Sequence, residues 1–500
     1  MCPPGHFCEG GSAIPCARSY YNPLAGQYLR SACLSCPLST TTESDAATSV
    51  EQCLCNKGYY NARSTANNSV ECALCPVGSA CVEAGTSLAS LPLKAGYYRA
   101  GSDSDDLRRC PDAGVNSACV GGVSGGEGPC RQGLQGPYCQ VCEVRDDSMY
   151  YNAKESSCMP CEGNALLTVL AVVGVGAAVA GLLSLWVRLR HRLPLRLIAM
   201  AGWLWRLYTQ LSLRAKIKQM MSFYQVATRI TEVYDLELPG AVVRLLESFD
   251  IININIEALG LPLQCLGLGS YGHSLAFTMF APLLLAAAYA LYHLAWPCVE
   301  AVLARDPRCF RRGRPRAQLM AALPGLLVLS FLVFPMVSSA AFRAFSCEGF
   351  SNGRSFLRAD YAIECGTADH RLVQSIAWLG ILLYPVGISV VYAVLLLAAR
   401  PALVQEKPTA LSKALGFLVR DFDVPFMWWE LLMAWRQLWL VGFAVLIAPG
   451  SVQQLVISFL VSLVYMLICA VSMPFKDKVR VGLGLGLGLG LGLGSGQLLP

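Results

Sequence analysis

Charge is what this chain has least of: only 14% of its 500 residues are Asp, Glu, Lys or Arg, against about 25% in soluble globular proteins. That scarcity, with 54% hydrophobic residues and a mean hydropathy of +0.46, excludes an ordinary soluble protein and points to the membrane. Histidine is also scarce, five residues that do not cluster as ligands, and no Walker A, kinase catalytic loop, H-E-x-x-H or G-x-S-x-G set occurs. Gly267-Leu-Gly269-Ser-Tyr-Gly272 fits G-x-G-x-x-G, but no strand leads into it and an apolar span follows. An enzyme is therefore the least expected class, and no cofactor or metal is called for. No apolar signal run precedes Leu166, and Cys2 already lies inside a cysteine motif, so a segment upstream of Met1 is expected.

What is present falls into two parts. Seventeen of the 23 cysteines lie between Cys2 and Cys161, leaving six for the rest of the chain. Residues 1–163 hold 11 Lys and Arg against 16 Asp and Glu, a net of −5, while the rest holds 28 against 17, a net of +11. The basic excess sits in short runs beside apolar segments, as in cytoplasmic loops, so nucleic acid is not expected as a partner. Arg188, Arg190, His191, Arg192 and Arg196 follow the first apolar span without an acidic residue before Glu232. The positive-inside rule then places residues 1–163 outside the cell, the C-terminus in the cytoplasm, and the whole chain in the plasma membrane.

Outside the cell, thiols oxidise, and the cysteine pairs Cys33/Cys36, Cys53/Cys55, Cys72/Cys75, Cys139/Cys142 and Cys158/Cys161, with Cys130, become disulfide candidates. A zinc ribbon is the competing reading of paired C-x-x-C. Cys2-Pro-Pro-Gly-His-Phe-Cys8 and Cys75-Pro-Val-Gly-Ser-Ala-Cys81 are near copies, and Gly58-Tyr59-Tyr60 recurs as Gly96-Tyr97-Tyr98. Such modules have almost no aliphatic core, so cross-links worth about 2 to 4 kcal/mol each must hold them. The odd count of 17 predicts one partner upstream. Asn67-Asn68-Ser69 is a glycosylation sequon on Asn67.

Cys33-Leu-Ser-Cys36-Pro37, Thr40-Thr41-Thr42 and Cys53-Leu-Cys55-Asn-Lys-Gly58-Tyr59 together resemble the ephrin-receptor-like cysteine-rich repeat over residues 1–100. CRQGLQGPYCQVC, from Cys130 to Cys142, resembles the end of an EGF-like module, which assigns residues 101–163 to that type.

Apolar stretches long enough to cross a bilayer fall at 164–187, 272–297, 320–342, 372–398, 430–448 and 452–473. Residues 217–236 are a weaker seventh, admitted because an even number of crossings must separate the basic runs around Arg190 and Arg305–Arg316. Residues 188–216 read as a basic, interfacial cytoplasmic segment with Trp203 and Trp205 at headgroup depth. Loop 346–371 falls outside, with Cys347 and Cys365 as a disulfide candidate or as two free thiols. The expected fold is thus a disulfide-rich, small-β, EGF/ephrin-receptor-like ectodomain followed by an all-α polytopic bundle of about seven transmembrane helices. Residues 482–496 form a Gly-Leu low-complexity tail with no expected membrane element.

Ionisable residues at membrane depth are expensive, which makes Arg229, Glu232, Glu430 and Arg436 candidates for transport or gating. A neutralising pair or an interfacial anchor is the plainer alternative, above all for Glu430 beside Trp428 and Trp429. Gly174, Gly176, Ala180 and Gly181 give the first span a close-packing face, for its own bundle or for an oligomer.

Lys216-x-Lys218-x4-Phe223-Tyr-Gln225, Leu261-Pro-x2-Cys265, Phe342-x2-Phe345-x-Cys347-Glu, Ala359-Asp360-Tyr361 and Trp428-Trp429-Glu430-Leu-x4-Arg436-x2-Trp-Leu-Val-Gly-Phe443 are similar, as a set, to large protist surface proteins. Those proteins join cysteine-rich repeats to a TRP-channel-like membrane domain, which continues past a turn like Pro474-Phe475-Lys476. The resemblance implies a cell-surface receptor or sensor for an extracellular ligand or matrix, with a cation pathway in its membrane domain. A structural adhesion protein whose bundle is only an anchor is the second reading.

Overall fold

The computed structural model describes residues 1–62, 70–112, 116–122, 130–143, 149–152, 155–161, 213–234, 239, 241–242, 244–245, 265, 269–303, 315–447 and 449–476. The cysteine-rich region is a string of short antiparallel hairpins. His6–Glu9 pairs with Ser12–Pro15, Thr40–Thr42 with Cys53–Cys55, Tyr59–Asn61 with Cys72–Leu74, and Tyr97–Arg99 with Leu107–Arg109. Strands of two to four residues bury too little apolar surface to stand alone. Here sulfur replaces the missing core: Cys16–Cys33, Cys36–Cys53 and Cys55–Cys72, each closing 17 residues, run as a continuous ladder.

The near-copy motifs at Cys2 and Cys75 fold alike, each closed by its own bond, Cys2–Cys8 and Cys75–Cys81. Each needs its glycine. Gly5 and Gly78 both have positive φ, +79° and +101°, and a Cβ would strike the Ala46 carbonyl in one and the Tyr97 ring in the other. The glycine lets the next hairpin pack directly on the motif's backbone.

The helical region comprises α1 (Leu213–Ala227), α2 (Ile230–Tyr234), α3 (Tyr271–Leu303), α4 (Pro315–Arg343), α5 (Ala368–Ile381), α6 (Gly387–Val404), α7 (Ala410–Ala414), α8 (Gly416–Val419), α9 (Trp429–Val441) and α10 (Val452–Ser472). Among the described residues, four helices are long and apolar enough to cross a membrane: Tyr271–Trp296, Arg316–Arg343, Ala368–Val404 and Val452–Ser472. The third joins α5 to α6 through a π turn, Leu382–Val386, at Pro385. Proline has no N–H to give, and the widened turn accommodates it without ending the helix. Large apolar side chains remain exposed along these helices, among them Leu284, Leu285 and Leu291 on α3 and Phe459, Leu460 and Val471 on α10. Surface of that kind suits a lipid solvent.

Two expected spans take a different form. Of the expected span 217–236, the described residues, up to Tyr234, are divided between α1 and α2, with a break at Thr228–Arg229 where the Thr228 hydroxyl donates to the Tyr224 carbonyl. Residues 430–448 give α9, whose 13 residues reach about 20 Å against a hydrocarbon core of about 30 Å. Gly442 ends α9, and Phe443–Leu446 continue as a 3-10 turn. The backbone there is pressed against Phe342, whose ring lies 4.8 Å from that of Phe443. Residues 164–187, most of 188–216, and the tail at 482–496 lie outside the described residues.

The main helical core joins Leu275 and Met279 of α3, Val333, Val337 and Ala341 of α4, and Val373 and Ala377 of α5. Between α4 and α5, Cys347–Gly349, Ser355–Leu357 and Asp360–Glu364 form a three-stranded antiparallel sheet, closed by Cys347–Cys365. Thr367 then caps α5, its hydroxyl accepting from the His370 amide.

Candidate functional site

The cysteine-rich region seats on this sheet. Tyr98, Leu134 and Tyr138 share one buried cluster with Phe350 and Phe356, and the Tyr138 ring lies 5.2 Å from Tyr361 and 5.8 Å from Phe350. At its centre is Glu348, with 10% of its side chain exposed. Its Oε1 accepts from Arg108 Nη1 at 2.8 Å and from the Tyr138 hydroxyl at 2.6 Å, while Oε2 accepts from the Tyr361 hydroxyl at 2.8 Å and faces Arg358 Nε at 3.5 Å. Arg108 also donates through Nη2 to the Gly349 carbonyl and lies 4.7 Å above the Phe350 ring. Ser104 and Ser351 share a hydroxyl hydrogen bond across the same junction.

One carboxylate thus gathers donors from both regions. Arg108 and Tyr138 belong to the cysteine-rich region, Tyr361 and Arg358 to the sheet. Burial and the bond to Glu348 push the Tyr138 phenol well above its ordinary value, and burial with the Glu348 charge does the same for Tyr361. Hydrogen bonds to a charged group are worth about 1.5 to 3 kcal/mol each.

A covalent tie stands beside this polar one. Cys161, the last cysteine of the N-terminal region, bonds Cys265, six residues before α3 begins. The cysteine-rich region is therefore fastened to the α3 entrance by sulfur and to the α4–α5 connection by Glu348.

His370, buried at the start of α5, completes a close group with Cys347 and Cys365. Its Nδ1 accepts from the Gly366 amide at 3.2 Å, so Nε2 carries the proton and donates to the Ala344 carbonyl at 3.2 Å. With both sulfurs bonded to each other, the group braces the loop and offers no thiolate to a metal.

Inside the bundle a second polar arrangement follows α1. Lys218, Ser222 and Gln225 are spaced by four and three residues, which places them on one face. Lys218 Nζ lies 2.6 Å from Glu430 Oε2 on α9, with 7% and 2% of the two side chains exposed. Lys218 also donates to the Phe417 carbonyl at 3.0 Å and sits 4.3 Å above that ring. Seven residues along each helix, Gln437 Nε2 donates to Gln225 Oε1 at 2.8 Å, and Gln225 Nε2 reaches the Leu332 carbonyl at 3.3 Å.

All thirteen cysteines singled out from the sequence are in disulfides: 16–33, 36–53, 55–72, 75–81, 130–139, 142–158, 161–265 and 347–365 account for them. Expecting an upstream partner for the odd cysteine misses Cys265, which lies downstream. Cys265 sits six residues before an apolar span, and this was the available signal. Asn67 lies outside the described residues, as does the side chain of Glu232, whose backbone is in α2.

Arg229 lines a small cavity with Gln225, Leu332 and Pro335. Arg436 does not pair with Glu430; its guanidinium lies 4.4 Å above the Tyr465 ring of α10. Lys218 was the partner that sequence reasoning overlooked, although its i, i+4, i+7 spacing with Ser222 and Gln225 was visible. Glu348, Arg108 and Tyr138, spread over 240 residues, gave no local signal.

Residues 2–53 match the family model described as tyrosine-protein kinase ephrin type A/B receptor-like, a stretch that takes in the disulfides 2–8, 16–33 and 36–53. No curated protein and no solved structure matches the chain.

Proposed function

We propose that this chain is a plasma-membrane receptor or sensor, and not an enzyme, in which the cysteine-rich region is an extracellular lever set on a cation-conducting, TRP-like bundle. The observation that carries the reading is the double fastening of that lever: Cys161–Cys265 at the head of α3 and the Glu348 cluster between α4 and α5. A ligand or matrix contact that tilts the cysteine-rich region pulls on helix ends and not on a slack linker. Coupling between sites needs a contiguous physical path with two arrangements, and the π turn at Pro385, in the middle of the α5–α6 span, is a hinge on that path. In this reading the N-terminus is extracellular, the C-terminus cytoplasmic, and helices with lipid-facing apolar surface also offer oligomer contacts.

Whole-cell recording with beads attached to the cysteine-rich region tests it. Force-evoked current is expected in the native chain, and its loss is expected when Glu348→Ala is combined with Cys161→Ser and Cys265→Ser. A surface-expressed native chain silent under force, extracellular matrix and voltage alike would leave the bundle as an anchor for adhesion.

A further inference from the structure

An open groove of about 730 Å³ lies between α1, α4 and the α7–α8 segment, and its walls are of two kinds. Ile217 and Met221 of α1, with Val328, Phe331 and Leu332 of α4, make it apolar along its length. The α7–α8 segment supplies the other wall. Its Leu415 and Leu418 are fully buried in a cluster with Leu327 of α4 and Leu396 of α6, which leaves Lys413 and Arg420 at the groove. Both cations are exposed and have no ion-pair partner among the described residues, whereas Lys218 is already paired to Glu430. Among the described residues no carboxylate lines the groove.

Depth follows from α4. From Pro324 to Arg343, where α4 meets the sheet, the rise is about 28 Å at 1.5 Å per residue, close to a hydrocarbon core of about 30 Å. The groove therefore opens at the membrane face opposite the cysteine-rich region, and Leu332 lies about 12 Å inward of Pro324. Two unpaired cations at the headgroup level and apolar walls running inward suit a molecule with one anionic end and one long apolar end.

We propose that the groove is a binding site for one anionic phospholipid, with its phosphate between Lys413 and Arg420 and one acyl chain along Ile217, Met221, Val328 and Phe331. Ammonium and guanidinium groups both donate charge-assisted hydrogen bonds to phosphate oxygens. Phosphatidylcholine is the weaker occupant, because its own ammonium cancels the phosphate charge and adds a cation to a cationic wall. A free phosphate would answer the cations and leave the apolar walls unfilled. The bound lipid fills the gap between α1 and the α7–α8 segment, which meet where Lys218 donates to the Phe417 carbonyl. The site rests on the membrane setting alone, and on neither the lever nor the cation pathway.

Photolabelling tests it. The full-length protein is reconstituted into phosphatidylcholine vesicles that carry a trace of either phosphatidylglycerol or phosphatidylcholine with a diazirine on one acyl chain. After irradiation, label is mapped at 217–221 and 328–332 and divided by the label on α10, whose exposed apolar side chains meet bulk lipid. Each cation beside an anionic headgroup is worth about fivefold, so phosphatidylglycerol is expected to label the groove about 25-fold more than phosphatidylcholine does. Lys413→Gln with Arg420→Gln should remove that excess, and so should Val328→Trp, which fills the groove and keeps both cations. Inorganic phosphate should displace the probe no better than chloride at the same ionic strength. Equal labelling by the two probes, or an unlabelled groove beside a labelled α10, overturns the proposal, the second by showing that another protein segment is seated there. A native excess in either variant overturns it as well, and so does displacement by phosphate alone, which would mark a free-anion site. Should the variants not elute as folded protein, the probe comparison and the phosphate arm on the native chain decide.

Discussion

The two regions of this molecule reach a stable fold by opposite means. The cysteine-rich region surrounds itself with water, builds its hairpins from strands two to four residues long, and is held by nine disulfides counting the one to Cys265. The helical region turns apolar side chains outward, leaves Cys469 unbonded, and buries its polar groups in the middle. In water, a chain without a core needs covalent staples; in lipid, where outward burial is free of cost, specificity comes from buried pairs such as Lys218–Glu430 and Gln225–Gln437. The junction at Glu348 belongs to neither scheme, being polar, partly dry and closed by aromatic rings.

Reduction should separate the two regions most sharply. Each lost disulfide costs about 2 to 5 kcal/mol, so a strong reductant is expected to unfold residues 1–161 while the helical far-ultraviolet signal persists in detergent. A simultaneous loss of both signals would show that the helices depend on the staples.

Next in size is Lys218→Met. Stranding Glu430 in the core is expected to cost about 3 to 5 kcal/mol, and Lys218→Met with Glu430→Leu should recover most of it, because removing both charges also removes the need to pair them. Thermal unfolding of the detergent-solubilised protein distinguishes the two. Equal losses in single and double variants would mean that the pair itself, and not the orphaned charge, is what matters.

A smaller effect is expected at the junction. Glu348→Gln keeps the shape but loses the charge that Arg108 and Tyr138 answer, and should weaken docking by about 1.5 to 3 kcal/mol. Hydrogen exchange would rise across residues 97–109 and 347–364 and stay unchanged in the ladder at 16–72.

The smallest effect is in alkali. A folded state that holds Tyr138 and Tyr361 protonated contributes stability that is fully present below the unfolded tyrosine value, about 10, and is lost as pH rises through the higher folded values. Tyr151 behaves likewise, pushed up to about 12 chiefly by burial. Ultraviolet titration should show these phenols ionising late, and Glu348→Gln should bring the Tyr138 and Tyr361 steps earlier while leaving Tyr151 in place.

Sequence patterns told most where the relevant partners are close along the chain. The C-x-x-C pairs announced disulfides, yet not their direction: Cys33 reaches back to Cys16 and Cys36 forward to Cys53, so each pair joins two hairpins and closes neither on itself. Long apolar runs marked α3, α4, α5–α6 and α10 because hydropathy is a property of the run alone. It could not show that α9 stops at Gly442, since that end is set by Phe342 on another helix. A neutralising pair was one plain alternative for the ionisable residues at membrane depth, but Glu430 and Arg436, six residues apart on α9, lie on different faces, one toward Lys218 and the other toward Tyr465. Glu348 read only as a loop acid, because its meaning depends on Arg108 and Tyr138, brought from the other region by the fold.

The central claim is that the cysteine-rich region is rigidly fixed to the helix ends. Spin labels on exposed Lys94 and Asn352, with distances read by double electron–electron resonance, test it most directly. A single narrow distance is expected in the native chain, and a broad one when Glu348→Ala is combined with Cys161→Ser and Cys265→Ser. A broad distribution in the native chain, or an unchanged narrow one in the combined variant, would contradict the account.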